Sequence, residues 1–354
     1  MNYELLNCKL YPFPMRTPLF VIKLFNYEYW TWWAFYLPML PYWLYQAIRT
    51  RSFAYFTSAN PFIEQGGFFG ESKINILDHI PAQYKPQTLF FKNGTDVRVI
   101  LDALHQAQLK FPIIIKPNVG ERGFEVEKIT DEQALTHYVE RSPADLIVQE
   151  YVDFDIELGV LYNRIPGEKQ GKVTSVTLKE FLTVTGDGKS TVKELMQQNT
   201  RARFQLDTMH KRLGKGMQMV VPIGETRLLE PIGNHCRGTK FLNANHLINL
   251  KLNQVFDQIA SQMPDFHYGR FDMRVKSYED LYAGTNIRIM ELNGASSEPG
   301  HIYDPSFGLW QAYRDLARHW KILADICIEQ RKRGILPTPF GELMQVSYRH
   351  FFAK

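Results

Sequence analysis

Cysteine is scarce in this chain. Only Cys8, Cys236 and Cys327 occur in 354 residues. They are odd in number, far apart and form no Cys-x-x-Cys, so neither a disulfide framework nor a structural zinc site is expected, and a reducing compartment is favoured. An excess of one charge is also missing. The 41 basic residues nearly balance 37 acidic ones, and the net +4 is spread along the chain, which leaves no footprint for nucleic acid. A basic region followed by a compact apolar run and a small-residue cleavage site is absent, so no secretory leader is expected. Gly66, Gly67 and Gly70 make no G-x-G-x-x-G, and no clear strand precedes them. Gly188-Lys189-Ser190 ends like a P-loop, but Thr183 stands where its first glycine is required.

What is present is ordinary for a folded protein, with 45% hydrophobic and 22% charged residues. The length suggests two or three structural units. Aromatic residues make up 14% and gather early. Residues 29–48 run from Tyr29 to Ile48 without a charge, and Arg49 and Arg51 follow. Three readings stay open for this stretch. It packs on the rest of the protein or lines a greasy pocket, it lies in a membrane interface through its Trp and Tyr residues, or it spans the bilayer. Pro38 and Pro41 and the dominance of Trp and Tyr weigh against the last. Arg49 and Arg51 would suit anionic lipid. Residues 1–20, with Pro12, Pro14 and Pro18, read as an irregular lead-in.

Alternation of apolar and polar residues predicts strands over 269–275 and 287–294, joined by a hairpin connection. Glu291 and Asn293 are two apart and share a face. Paired antiparallel, the strands would bring Asp272, Glu291 and Asn293 together. Two carboxylates and an amide oxygen suit a hard cation such as Mg²⁺; the plain alternative is a polar sheet face with cross-strand pairs. Arg270 would share the face of Asp272. Upstream, Ile113-Ile114-Ile115-Lys116-Pro117 reads as a buried strand. A loop with Asn118, Gly120 and Gly123 follows, then a strand over 126–129. Strand, glycine loop and strand make a hairpin able to grip phosphate through backbone N–H groups and a lysine. Helices are predicted over 73–80, 95–109, 131–141, 192–198, 201–214, 245–263 and 306–333. Further strands are predicted over 146–152, 156–162, 173–176, 181–184, 217–223 and 226–229. The tail beyond Pro337 carries no assignment.

From about residue 73 to 304 these motifs together resemble the ATP-grasp superfamily, within it the D-alanine–D-alanine ligase and cyanophycin-synthetase-like branches. The resemblance implies an α+β fold in which two subdomains grip ATP. The expected units are an aromatic-rich segment (1–70), a linker with helices (71–110), the ATP-grasp domain (111–335) and a tail (336–354). It implies that Lys73, Lys116, Asn118, Gly120 and Gly123 contact nucleotide phosphates. Glu150, Tyr151 and Val152 match the adenine-binding hinge. Glu157 matches a ribose-binding carboxylate, with Asp155 as the alternative because one extra residue intervenes. Asp272, Glu291 and Asn293 match the Mg²⁺ ligands, with one or two ions and Mn²⁺ as a substitute.

Arg270 matches a catalytic arginine. The segment from Thr185 to Thr191 and the loop from Gly233 to Lys240 resemble the cyanophycin-synthetase-like branch. In the second, Arg237 is a catalytic candidate, His235 a structural one, and Cys236 is not expected to act as a nucleophile. In the loop after the second metal strand, Glu298, His301 and Tyr303 are candidates for substrate contact. The implied reaction activates a small-molecule carboxylate as an acylphosphate and joins it to an amine, releasing ADP. A phosphotransferase that forms no amide, or a membrane-associated nucleotide-binding module, is the alternative. A cytoplasmic location, peripheral contact with the inner membrane face through residues 29–51, and a homodimer complete the expectations.

Overall fold

Short helices open the described chain because prolines and bulky rings interrupt every run. The computed structural model describes residues 17–352 except 69, 121 and 122, so most of the expected lead-in lies outside the described residues. Helix α1 (Leu19–Phe25), α2 (Trp32–Tyr36) and α3 (Leu40–Thr50) are separated by 3-10 turns at Tyr27–Tyr29 and Leu37–Met39. Among the described residues no helix is long and apolar enough to cross a membrane, so the spanning reading of 29–48 fails. Instead Phe35 and Met39 are buried against Ile302, Tyr313 and Leu316. On the opposite side Trp32, Trp33, Leu37 and Ile48 stay largely exposed.

Helix α4 (Lys73–Asp78) is capped by Ser72, whose hydroxyl accepts from Asn75 N–H. The first sheet then assembles from β1 (Thr88–Phe91), β2 (Ile113–Pro117), β3 (Glu127–Ile129) and β4 (Leu146–Glu150). Its order is β1-β4-β2-β3, antiparallel throughout. Ile113 and Ile115 face a core shared with α5 (Val97–Gln106) and α6 (Glu132–Arg141). Period-two alternation turns Ile114 and Lys116 to the opposite face, which lines a cavity.

The second sheet begins with β5 (Ile156–Asn163) and β6 (Lys172–Glu180). A small module follows, in which the ribbon of β7 (Thr183–Thr185) and β8 (Thr226–Leu228) packs with α7 (Val192–Gln198), α8 (Thr200–Arg203) and α9 (Leu206–Leu213) around their own apolar cluster. Thr191 and Glu194 form a capping box at the start of α7, so the segment that ends like a P-loop is a turn and a cap. The chain returns through β9 (Lys240–Asn243), α10 (Leu250–Ser261), β10 (Tyr268–Val275), α11 (Tyr278–Ala283) and β11 (Ile287–Asn293). The sheet order is β11-β10-β5-β6-β9, again antiparallel. Leu158, Val160, Phe271, Met273 and Ile289 face a core with Val255, Phe256 and Ile259 of α10. Finally α12 (Leu309–Lys332) and α13 (Phe340–Phe352) cover the other end.

The fold class read from the sequence, α+β with two lobes about a cleft, is the fold the chain has. Several element boundaries differ. The helix expected over 201–214 breaks in two at Phe204–Gln205. Residues 217–223 form a 3-10 turn and one isolated bridge, Thr191 to Val220, instead of a strand. Gly214, at φ 50°, ends α9 before them. The helix expected from 245 starts at Leu250 because Asn249 caps it through Leu252 N–H. The connection over 276–285 contains α11, capped by Ser277. Strands β1 and β9 and helix α13 had no counterpart in the sequence reading.

One buried side chain ties the N-terminal helices to the second sheet. Asn60 donates to the carbonyls of Gly66 and Tyr268 and accepts from the N–H groups of His267 and Tyr268. Asn60→Ala leaves four backbone groups without these partners in a fully buried place. The expected loss is about 3 kcal/mol of unfolding free energy, measured by urea denaturation.

Candidate active site

The site is built on a bulge. Asp272 pairs with Glu291 and Arg270 with Asn293, but Met273 pairs with Ile289, so Met290 is an extra residue in β11. Ile287 and Ile289 point to the core and Leu292 does too. The odd-to-even change across Met290 is what turns Glu291 and Asn293 to the cavity beside Asp272 and Arg270. Were Met290 an ordinary paired residue instead of a bulge, unbroken alternation from Ile287 and Ile289 would put Glu291 on the core face.

Behind this quartet sits a buried charge cluster. Arg270 Nε and Nη2 donate to the two oxygens of Asp272 at 2.9 and 3.2 Å. Lys179 Nζ, from β6, lies 3.5 Å from Asp272 Oδ2 and 3.3 Å from Glu157 Oε1. Arg274 Nε donates to Glu157 Oε2 at 2.9 Å. Burial works against every charge here. In Asp272 it is outweighed by Arg270 and Lys179, which hold the carboxyl below its usual range. In Lys179 it is outweighed by Asp272 and Glu157, which hold the ammonium above its ordinary value. Gly233 closes over the cluster. A Cβ there would stand 1.9 Å from Glu157 Oε1, so only glycine fits.

Glu157 therefore lines the cavity, whereas Asp155 is exposed and away from it. Lys179 and Arg274 were not singled out from the sequence. The sequence pattern predicts a strand only as far as Val176, three residues short of Lys179. Had the buried alternation been carried to Glu180, a lysine in a nearly all-buried strand would have stood out.

The first sheet supplies the opposing wall. Lys116 Nζ donates to Gln149 Oε1 at 3.2 Å and reaches across to the carbonyl of the bulged Met290 at 3.1 Å. Burial pushes its pKa down to about 8, with Glu291 opposing the fall. Lys73 Nζ donates to the Gly120 carbonyl. Gly120 and Gly123 line the cavity, while 121 and 122 between them lie outside the described residues. Asn118 does not line it. Its amide caps α4 by accepting from Ile74 N–H and donating to Ser72. Glu150, Tyr151 and Val152 line the far end. There the Val152 carbonyl accepts from Arg274 at 2.8 Å, and Lys128 sits over the Tyr151 ring.

The exit loop after β11 divides. Glu298 and Tyr303 face the cavity, and Tyr303 donates to Glu298 Oε2 at 2.6 Å. Enclosure by protein raises the Glu298 carboxyl to about 7, and the hydrogen bond from Tyr303 pulls the other way. His301 instead points into the protein. It is 1% exposed and held between Ser175 and Asp315, so it does not contact the cavity. Arg237 also lies outside the cavity lining, 3.6 Å from Glu230 and against the Val126 carbonyl. It braces the Gly233 loop on the β2–β3 hairpin and is not brought beside Arg270 in the cavity lining. His235 is packed with Phe241 and Tyr303, and Cys236 is an exposed free thiol.

Among the described residues no three His, Cys, Asp or Glu side chains assemble to hold a metal. The set on β10 and β11 is two carboxylates, Asp272 opposite Glu291, with the amide of Asn293 one same-face step along, opposite Arg270. It fits Mg²⁺ held by two carboxylates with phosphate and water as the other ligands. It does not fit a fully protein-enclosed ion, because Arg270 already engages both oxygens of Asp272. Lys73, Lys116, residues 150–152, Glu157, Lys179, Arg270, Asp272, Arg274, Glu291, Asn293, Glu298 and Tyr303 line one cavity of about 1770 Å³.

No family model matches the chain, and no curated protein matches it. Solved structures similar to it include D-alanine–D-alanine ligase from Bacillus anthracis, with 13% identity over 74% of this chain and 68% of that one and a TM-score of 0.41. A bifunctional glutathione synthetase from Pasteurella multocida has 14% identity over 70% and 35%, with a TM-score of 0.37. The VanG D-Ala:D-Ser ligase from Enterococcus faecalis has 15% identity over 67% and 57%, with a TM-score of 0.36. The chain thus spans about two thirds or less of the length of these proteins. Likeness at this level assigns neither substrate nor reaction.

Gly233→Ala is expected to cost about 1–3 kcal/mol by overpacking against Glu157. In a double-mutant cycle with Glu157→Ala, the alanine penalty should shrink. Equal penalties in both backgrounds, measured by denaturation, would show that the contact does not govern the loop.

Proposed function

We propose that this chain is an ATP- and Mg²⁺-dependent ligase of the ATP-grasp type, which activates a carboxylate and joins it to an amine with release of ADP. One observation carries the reading. A lysine at the end of the hairpin strand, Lys116, reaches across the cavity to the bulge that also aims Glu291 and Asn293 beside Asp272. A cation for phosphate and a donor set for a hard cation therefore meet from two different sheets.

The residues divide the work along the cavity. Residues 150–152 would hold the base, and Glu157 would face the ribose, braced by Arg274 and Lys179. Lys116 and Lys73 would neutralise phosphate oxygens, with Gly120 and Gly123 allowing the backbone close. Asp272, Glu291 and Asn293 would hold Mg²⁺, which when bound supplies charge neutralisation on the transferring phosphoryl group. Arg270 would orient the carboxylate and stabilise charge on its oxygens. Glu298 would take the proton of the incoming amine. Its pKa near 7 suits a base at neutral pH. No protein nucleophile is needed.

The test is ADP release by purified protein with Mg²⁺ across carboxylates, with and without amines, and with hydroxylamine to trap an acylphosphate. Carboxylate-dependent release with hydroxamate formation is expected. ADP formation with phosphorylated product and no condensation would make the chain a phosphotransferase. Asp272→Asn should reduce turnover to about 1% or less, with the fold verified by thermal melting; full activity in that variant would sink the metal assignment. The rate should rise with pH through about 7 as Glu298 ionises. Tyr303→Phe removes a hydrogen bond that favours the carboxylate, so the acid limb should move to higher pH; a limb that stays put or moves down would remove Glu298 from the mechanism.

A further inference from the structure

Strand β10 works as a ruler through the cavity. Tyr268, Arg270, Asp272 and Arg274 alternate onto one face and all line it. Neighbours on that face are spaced roughly 6.6–6.8 Å apart. Arg274 marks the end next to Val152, and Asp272 and Arg270 mark the middle. Tyr268 marks the other end, in a buried cluster with Tyr55, Phe56, Leu323 and Cys327, its hydroxyl donating to the Ser297 carbonyl.

Beyond Tyr268 the cavity continues into an apolar limb between α2, α3, α12 and α13. Phe35, Trp43, Phe56, Leu316, Trp320 and Leu343 are among its walls. Besides tyrosines, Glu28 and His319 are ionisable groups on its walls. Glu28 is paired with Arg201 and lies 3.3 Å from His235 at the Gly233 loop. His319 is held neutral by burial, its pKa pushed down to about 4, with Nε2 3.0 Å from Thr174. The whole cavity, about 1770 Å³, exceeds the roughly 300–1,000 Å³ of an ordinary small-molecule pocket. A nucleotide at the Val152 end leaves the limb empty. Leu40 and Trp32, both partly exposed, form part of its rim.

We propose that this limb is the binding site for the tail of a long-chain aliphatic carboxylic acid, whose carboxylate sits at Arg270. This rests on the ligase reading and supplies its first substrate class. A carboxylate entering from the Tyr268 side reaches Arg270 first and Asp272 next, which is the order required for attack on a terminal phosphate held at Asp272. In the step, a carboxylate oxygen forms a bond to the γ-phosphorus and the bond from that phosphorus to the β-bridging oxygen breaks. ADP leaves with the electron pair. The amine nitrogen then bonds to the acyl carbon, phosphate leaves, and the amine proton passes to Glu298. The aromatic N-terminal helices are thus a wall of the acyl site, and an acid without a tail leaves them unused.

The experiment measures binding of hexadecanoate, octanoate and acetate to the full chain by titration calorimetry, below micelle-forming concentrations. Binding of a fluorescent ATP analogue is followed in parallel. Affinity should rise with chain length, by up to roughly fourfold per buried methylene, and acetate should not bind measurably. Met344→Glu changes a half-exposed residue that lines the limb, and Trp320→Ala removes a wall without adding charge. Each should weaken hexadecanoate at least tenfold and leave nucleotide binding unchanged. Hexadecanoate binding no tighter than acetate, in protein that binds nucleotide, would overturn the acyl site and leave the ligase reading standing. The same holds for chain-length-dependent binding that neither variant alters. Binding that follows chain length and both variants, without hydroxamate or ADP formation, would support the site and overturn the ligase reading.

Discussion

The second sheet depends on the pairing of charges that it has taken out of water. Lys179, Arg270 and Arg274 surround Asp272 and Glu157, and each of the five is largely hidden from solvent. Desolvating such groups costs several kcal/mol apiece and is tolerated only when every partner is in place, and removal of a single partner strands a buried charge. The cluster therefore fixes the register of β5, β6 and β10 more tightly than apolar packing would, because a slip of one residue would send the charges into the core. Gly233 belongs to the same constraint, since the loop can close over Glu157 only without a side chain. Three cations against two anions leave the region positive. That is a suitable background for a phosphate-bearing ligand, and Glu291 and Lys116 at its edge add one charge of each sign.

The first sheet and the N-terminal helices bring the rest of the cavity to this cluster. Lys116 is the connection on one side, because its ammonium spans from β2 to the bulge in β11. On the other side the connection is apolar and aromatic. Phe35 stacks with Tyr313 and lies near Tyr303, which in turn holds Glu298. A stretch with the composition of an interface helix is in this way coupled to the loop that borders the cavity. Its outer face still carries exposed Trp and Leu residues, so burial fully or partly covers six of the nine aromatic rings in 29–48 and leaves Trp32, Trp33 and Tyr45 facing outward.

Much of this was readable in the chain. The apolar triplet before Lys116, the Asp272 and Glu291-x-Asn293 strands, and the caps at Ser72 and Thr191 follow from local periodicity and capping chemistry, which act within a few residues. What escaped reading depends on distant partners. Lys179 gains its meaning from Asp272, over ninety positions away, and Arg274 from Glu157. Asn118 has a phosphate-loop sequence context yet caps a helix at Ile74. His301 follows β11 closely and still turns inward, because Ser175 and Asp315 satisfy both ring nitrogens. Arg237 sits in a glycine-bounded basic loop, but Glu230 draws it aside.

The sequence by itself determined most of the strands and helices between residues 73 and 333 and the placing of Asp272, Glu291 and Asn293 on strands, because alternation and spacing are properties of neighbours along the chain. Only the tertiary structure decided that Glu291 and Asn293 face Asp272. That outcome hangs on one extra residue, Met290, whose position as a bulge is defined by the pairing with β10. Only the tertiary structure, too, decided that the aromatic stretch is a wall of the cavity. Hydrophobic burial is non-directional, so composition says that such residues must be covered, and the assembled helices α12 and α13 say by what.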